Sequence, residues 1–314
     1  MKKLYTGMLA MALTGSMLMT ACGSGSASKE TTAAASEAPA TTAAASEAPA
    51  TTAAAATDAA SDGQSAEITV FIAASLSSVM EEIKTNYLAD HPDVVINFNA
   101  DSSGTLMTQI EEGAACDIFF SAGQKQMNQL EEDGLLVADT RHNVVNNQLC
   151  VVKAAGAESA VEGLETLSKA SSLALADGSV PVGKYTRTAL VSLGILGETD
   201  TPEQYTTEDV SKALGGLEIS EQSNVSKVAQ AVIEGSCEVG TTYYSDTKAF
   251  EGQLDVIEYV SYDLTGNIIY PIAMITNKEA SDAQTAAAQD FLNYVVSDAC
   301  KPVFDAYLFD TNVE

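Results

Sequence analysis

From Glu67 onward, short apolar runs alternate with stretches of helical periodicity, and this alternation limits the possible folds more than any other feature of the chain. Residues 67–74 (EITVFIAA) read as a buried strand, after which Leu76, Val79, Ile83 and Tyr87 recur at helical spacing. A second strand is expected at 94–98. It is followed by a helix that carries Leu106 and Ile110 and ends near Gly113. Residues 117–121 are strand-like and 124–132 helical. Strands alternating with helices imply βαβ units and a mainly parallel sheet.

One long strand at 146–154 then leads away into a second lobe. Strands are expected there at 171–175, 238–244 and 254–260. Tyr185, Ala189 and Leu193 mark one helix of this lobe, and Val225, Val228 and Val232 another. Residues 268–276 read as a strand returning to the first lobe, and helices at 281–296 and 298–307 follow. Pro302 falls in the first turn of the second of these, where a missing N–H costs little. At about 100–200 residues per domain, 314 residues suit two lobes. The expected fold class is therefore α/β, with two lobes, two hinge crossings and a ligand cleft between them. Lobe 1 is assigned 66–147 plus 269–314, and lobe 2 148–268.

The first 65 residues read differently. Lys2 and Lys3 precede a broken apolar stretch from Leu4 to Met19, the pattern of a secretory signal rather than of a membrane span. Met19-Thr20-Ala21-Cys22 is similar to the bacterial lipobox. This predicts removal of residues 1–21 and lipid attachment at Cys22, with ordinary cleavage and a free Cys22 as the alternative. TTAAASEAPA occurs at 31–40 and again at 41–50, with a degenerate copy at 51–60. Units without large apolar residues bury almost nothing when stacked, so 22–65 is read as a disordered tether. The expected location is extracytoplasmic, with the folded body anchored to the cell membrane through lipid.

With 43 acidic and 15 basic residues the formal charge is −28, which argues against a sequence-independent grip on nucleic acid. His91 and His142 lie far apart, so no protein–metal site is expected. Cys116, Cys150, Cys237 and Cys300 have no CxxC spacing and sit in or beside apolar runs. Both disulfides and buried free thiols remain open for them. No GxSxG elbow or Walker motif is present, and no enzymatic activity is expected.

Ligands of open α/β sheets bind beyond the carboxyl ends of strands, where helix N-termini present unpaired N–H groups and favour anions. The junctions here read AAS (73–75), DSSG (101–104), SVPVG (179–183) and SNVS (223–226). Each combines a hydroxyl with small residues, and Tyr243 at a strand end can add a phenolic donor. A serine at any one junction can equally serve only as its own helix cap. All four converging on one crevice would instead form a donor cage for a small oxyanion. Lys184 and Arg187 are expected to be solvated helix residues.

The segments ITVFIAASL (68–76), SSGTL (102–106), CDIFFSAGQKQM (116–127), NQLCVV (147–152), VPVGKYTRTAL (180–190), the run from Val225 to Tyr243 and YPIA (270–273) resemble the bacterial molybdate-binding proteins of ABC importers. The resemblance covers about residues 67–310, with its blocks in family order. It implies a class II periplasmic-binding-protein fold and an oxyanion held by Ser75, Ser103, the backbone of Val182 and Val225, and Tyr243. It also implies molybdate or tungstate as ligand, no cofactor, and a membrane permease and a separate ATPase as partners of a monomer. Asp101 departs from the family pattern, which has Gly or Ala there. It is either a solvated acid at a helix N-terminus or a proton acceptor. The second role would favour hydrogen phosphate; another oxyanion such as phosphate or sulfate stands as the alternative ligand, with Asp101 as proton acceptor in the phosphate case. Molybdate, tungstate and sulfate are bare dianions at neutral pH and need donors only.

Overall fold

The computed structural model describes residues 66–313, which fall in one compact unit. The signal sequence, Cys22 and the tether expected at 1–65 lie outside the described residues. The chain opens with β1 (Ala66–Ala73), α1 (Ser77–Asp90), β2 (Val94–Asp101) and α2 (Ser103–Glu111). Next come β3 (Ile118–Phe120), α3 (Gln124–Glu132) and β4 (His142–Asn147). Crossing over, it forms β5 (Leu149–Ala154), β6 (Ser172–Ala176), α4 (Pro181–Ser192), α5 (Thr207–Ala213) and β7 (Glu218–Gln222). Then follow α6 (Val225–Ile233), β8 (Val239–Tyr243), α7 (Tyr244–Ala249), β9 (Leu254–Tyr259) and α8 (Tyr262–Thr265). It returns with β10 (Ile268–Met274), α9 (Asp282–Val295) and α10 (Lys301–Ala306).

These strands form two five-stranded sheets, ordered β2-β1-β3-β10-β4 and β7-β6-β8-β5-β9. In the first sheet β1 is buried on both faces, which explains its unbroken apolar run. Ile68, Val70 and Ile72 join a core with Val79, Met80 and Ile83 of α1 and Phe291 and Leu292 of α9. Phe71 points the other way, into a second cluster with Leu106, Ile110, Phe119, Met127 and Leu130 from β3 and the two helices on that face. A ring as fully buried as Phe119 is worth about 3–5 kcal/mol against its truncation to alanine.

Three expectations are corrected. The sheets are mixed rather than mainly parallel: β1 runs parallel to β2 and β3, and β6 to β7 and β8, but β10 and β5 run antiparallel to both their neighbours. Each of these two antiparallel strands is the first the chain forms after a crossing between the sheets, so its direction is set by that route and not by a βαβ unit. The single strand expected at 146–154 is divided between β4 and β5, because the chain changes sheets at Gln148. There the Asn147 side-chain oxygen takes up the Gln148 N–H at 2.9 Å. Finally, β7 was not anticipated. EISEQ is an edge strand with three of its five residues exposed, and it carries little apolar signal.

Pro271 lies inside β10, where a proline cannot donate to the ladder. The pairing with β4 shifts register between Tyr270 and Pro271, and this bulge absorbs the missing N–H. Bulges also re-aim neighbouring side chains.

Candidate functional site: a donor cage at six strand ends

The carboxyl ends of all six parallel strands meet at one small pocket. Its walls include Ala73, Ala74 and Ser75 after β1, Asp101 to Ser103 after β2, and Ala122 after β3. The other side is made by Val180 to Val182 after β6, Val225 after β7, and Tyr243 at the end of β8. The space left for the centre of a water-sized sphere is about 10 Å3, close to that of a single such sphere. A small, compact ligand matches that space. All five residues named from the sequence, Ser75, Ser103, Val182, Val225 and Tyr243, line it.

Local structure determines which atoms are free to act. Ser102, not Ser103, caps α2, its Oγ accepting the Thr105 N–H at 3.1 Å. Asn224 caps α6 by accepting the Lys227 N–H at 3.0 Å. Neither Ser75 nor Ser103 therefore serves as a helix cap. The Ser103 Oγ instead accepts the Ala122 N–H at 2.9 Å, which leaves its own hydrogen to donate. The Ser75 Oγ lies 2.9 Å from the Tyr270 hydroxyl. Ser103 and Val225 are the first residues of their helices and Val182 the second, so their N–H groups have no acceptor within the helix.

The Tyr243 hydroxyl is buried without any hydrogen-bond partner. An orphaned buried hydroxyl costs about 1–3 kcal/mol, and a ligand that accepts from it removes that cost. Burial, reinforced by the neighbouring Tyr270, Tyr185 and Asp246, pushes its pKa well above that of an ordinary phenol, so it remains a donor. Asp246 lies beneath it and accepts the Tyr243 N–H at 3.0 Å and the Thr242 hydroxyl at 2.7 Å. Burial raises the Asp246 carboxyl to about 6 against these two bonds, which lower it.

Contacts across the cleft join the two sides. The Asp101 Oδ1 accepts the Asn224 side-chain amide at 3.1 Å and the Ser102 N–H at 2.8 Å. Asp101 is thus neither fully solvated nor idle: it lines the pocket and links the second and fifth of these junctions. Lys125 of α3 pairs with Glu203 at 2.6 Å. Gly104 approaches the Ser179 carbonyl so closely that a Cβ there would lie 2.8 Å from the oxygen.

Arg187 corrects a further expectation. Instead of being solvated it is fully buried, while Lys184 is half-buried. Its guanidinium donates to the carbonyls of Ala176 at 2.8 Å, Gly183 at 3.0 Å and Tyr205 at 2.8 Å, fastening the end of β6 to the first turn of α4. Val182 is carried on that turn. Arginine is rarely buried without a carboxylate partner, so nothing in the sequence marks this one. Sequence reasoning also missed Ala122, although the small residues of SAG after β3 repeat the junction pattern. The four cysteines are all buried and free, which leaves the disulfide alternative without support. Among the described residues no cluster of metal-ligating side chains occurs, and no helix is long and apolar enough to cross a membrane.

Residues 68–310 match the family model described as bacterial extracellular solute-binding protein. The molybdate-binding protein ModA of Haemophilus influenzae is 30% identical over 253 residues, covering 78% of this chain and 90% of the relative. A structure from Clostridium difficile, described as the substrate-binding domain of a molybdenum ABC transporter, superposes with a TM-score of 0.57 at 30% identity. It covers 80% of this chain and is itself covered completely. The periplasmic molybdate-binding protein of Azotobacter vinelandii shares the fold, with a TM-score of 0.64 at 17% identity over 77% of this chain and 98% of that one. With its two α/β sheets, its pocket at six strand ends and these relatives, the chain belongs to the bacterial extracellular solute-binding proteins and, within them, to the ModA family.

Proposed function

We propose that this protein captures molybdate, or equally tungstate, between its two lobes and delivers it to the permease of an ABC importer whose ATPase is a separate subunit. The observation that carries the reading is the Tyr243 hydroxyl, buried without a partner at a pocket the size of a small ion. Around it stand the hydroxyls of Ser75 and Ser103 and the helix-terminal amides of Val182 and Val225. The amides can only donate, and each hydroxyl has a hydrogen to donate, which suits a fully ionised dianion. Preorganised dipoles in a desolvated site can hold an anion without a contacting arginine or lysine. The ligand is bound and released unchanged, so no cofactor or catalytic residue takes part.

In this reading 66–147 with 269–314 and 148–268 move as two bodies about the crossings at Gln148 and near Gly266, and the monomer is the working unit. Cleavage before Cys22 and lipid attachment to it hold the body at the outer face of the cell membrane, with 22–65 as tether. Isothermal calorimetry of the purified protein against molybdate, tungstate, sulfate and phosphate tests the proposal. Tight binding of the first two with weak or absent binding of phosphate is expected. A preference for phosphate would make Asp101 a proton acceptor for the ligand, and heat from none of the four would end the oxyanion reading.

A further inference from the structure

We infer that Asn147 and Tyr270 are positioning residues that fix the direction of the Ser75 hydroxyl hydrogen, making Ser75 an obligate donor and setting discrimination against protonated oxyanions. The inference rests on the function proposed above and concerns two residues outside the pocket wall.

The relay starts at the hinge. Asn147, the last residue of β4, is 1% exposed, and its Oδ1 faces the N–H groups of Gln148 at 2.9 Å and Ser245 at 3.5 Å. An amide oxygen facing two N–H groups fixes which end of the side chain is nitrogen. Its Nδ2 therefore presents two hydrogens, one to the Ser245 Oγ at 2.8 Å and one to the Tyr270 Oη at 3.0 Å. A phenolic oxygen that already accepts has a single hydrogen left to place. The remaining neighbour of the Tyr270 hydroxyl is the Ser75 Oγ at 2.9 Å, so that hydrogen goes there. The Ser75 oxygen is thereby filled from behind, and its own hydrogen is left for the pocket it lines. Bonds in such a buried chain polarise one another in the same direction.

The relay is held rigidly. The Tyr270 ring is fully buried and packs edge-on against Tyr243 at 6.0 Å and Phe309 at 5.5 Å. Burial also keeps its pKa well above the ordinary phenol value despite the bond to Ser75, so the hydrogen it must supply is present. Ser103 achieves the same polarity more simply, through the backbone N–H of Ala122. Ser103 is therefore wired by main chain and Ser75 by side chains, and only the second wiring can be altered without changing the backbone. A hydroxyl released from the relay can turn and accept. It then tolerates the O–H of hydrogen phosphate, which a donor-only contact rejects.

Calorimetry of the wild type, Tyr270→Phe, Ser75→Ala and the double variant, each with molybdate and with hydrogen phosphate, tests the relay. Tyr270→Phe should weaken molybdate binding by about tenfold, as expected for one misdirected bond to an anion, and should weaken phosphate binding less, so that the ratio of the two affinities narrows. In the Ser75→Ala background the same substitution should have no further effect. Equal losses in both backgrounds, or an unchanged affinity ratio, would show that Tyr270 acts only as core packing and would overturn the inference. An anion-free readout separates this from failure of the proposed function. The buried Tyr270 hydroxyl proton should shift in the NMR spectrum of Ser75→Ala, and an unmoved resonance would overturn the relay even if the wild type bound none of the anions.

Discussion

The two sides of the pocket solve one problem with different chemistry. The side built on the first sheet is rich in hydroxyls, with Ser75, Ser102 and Ser103 on its wall. The side built on the second sheet presents Val180, Pro181, Val182 and Val225, and its only hydroxyl on the wall is that of Tyr243. Donors on the first side are side chains oriented by further donors behind them. On the second side, the Tyr243 hydroxyl apart, they are main-chain amides at helix starts, and the valine side chains there are free to pack into the core. A donor cage can thus contain as many valines as serines. The comparison predicts that side-chain substitutions matter on one wall and backbone substitutions on the other.

The largest effect should come where the two walls meet. Gly104 brings the first turn of α2 against the Ser179 carbonyl, and an added Cβ would stand 2.8 Å from that oxygen, a contact real Cβ atoms essentially never make. The obstruction is backbone and belongs to the opposite side, so the cheapest response is to stay partly open. Gly104→Ala is expected to weaken anion binding by about 3 kcal/mol, the upper range for forced overpacking, while the unliganded protein keeps its melting temperature. Calorimetry and thermal denaturation of the same sample check both halves. An unchanged affinity would mean that this contact does not limit closure.

Next in size is a pair of substitutions at Val225. Proline at the first residue of a helix is conformationally welcome and removes only the N–H, and Asn224 before it is already extended, as a pre-proline residue prefers. Val225→Pro should therefore cost about 1.5–3 kcal/mol of binding, the value of a hydrogen bond to a charged group. Val225→Ala keeps the amide and should leave affinity within about 0.5 kcal/mol, at some cost in stability from the buried methyls. If Val225→Ala lowered affinity as much as Val225→Pro, the second wall would bind through side chains after all.

Much of this was legible in the sequence. The expected 124–132 helix matches α3 at both ends, and the strand at 67–74 differs from β1 by one residue at each end. Apolar periodicity registers burial, and these elements are buried in a regular pattern. The strand–helix junctions were legible from composition and position, and the family resemblance singled out the five residues within them that line the pocket. What remained hidden depends on long-range pairing. The break at Gln148 arises because two sheets compete for one apolar run, and the exposed strand β7 has no period to read. Asn147 finds its partner Tyr270 far away in sequence, and Arg187 is held by backbone carbonyls rather than by side chains, neither of which local pattern encodes.

The smallest effect should come from the ion pair that spans the cleft. Lys125 lies on the first-sheet side and Glu203 on the second, 2.6 Å apart, with side-chain exposures of 54% and 16%. Burial alone would raise the Glu203 carboxyl, but the Lys125 hydrogen bond, the local backbone and the charges of Lys125 and Lys184 outweigh it and hold the pKa below the ordinary glutamate value. A carboxyl depressed in the closed form favours closure above its ordinary pKa, and that contribution disappears as pH falls through the depressed value. Between pH 6 and 8 the pair should therefore be fully formed and insensitive to pH, yet sensitive to salt. Lys125→Met is expected to weaken anion binding by no more than about 1 kcal/mol, through faster release, and to flatten the salt dependence. Stopped-flow measurements of release at several salt concentrations check this. A loss as large as that of Val225→Pro would mean that closure is driven by the rim rather than by the amides and hydroxyls that face the anion.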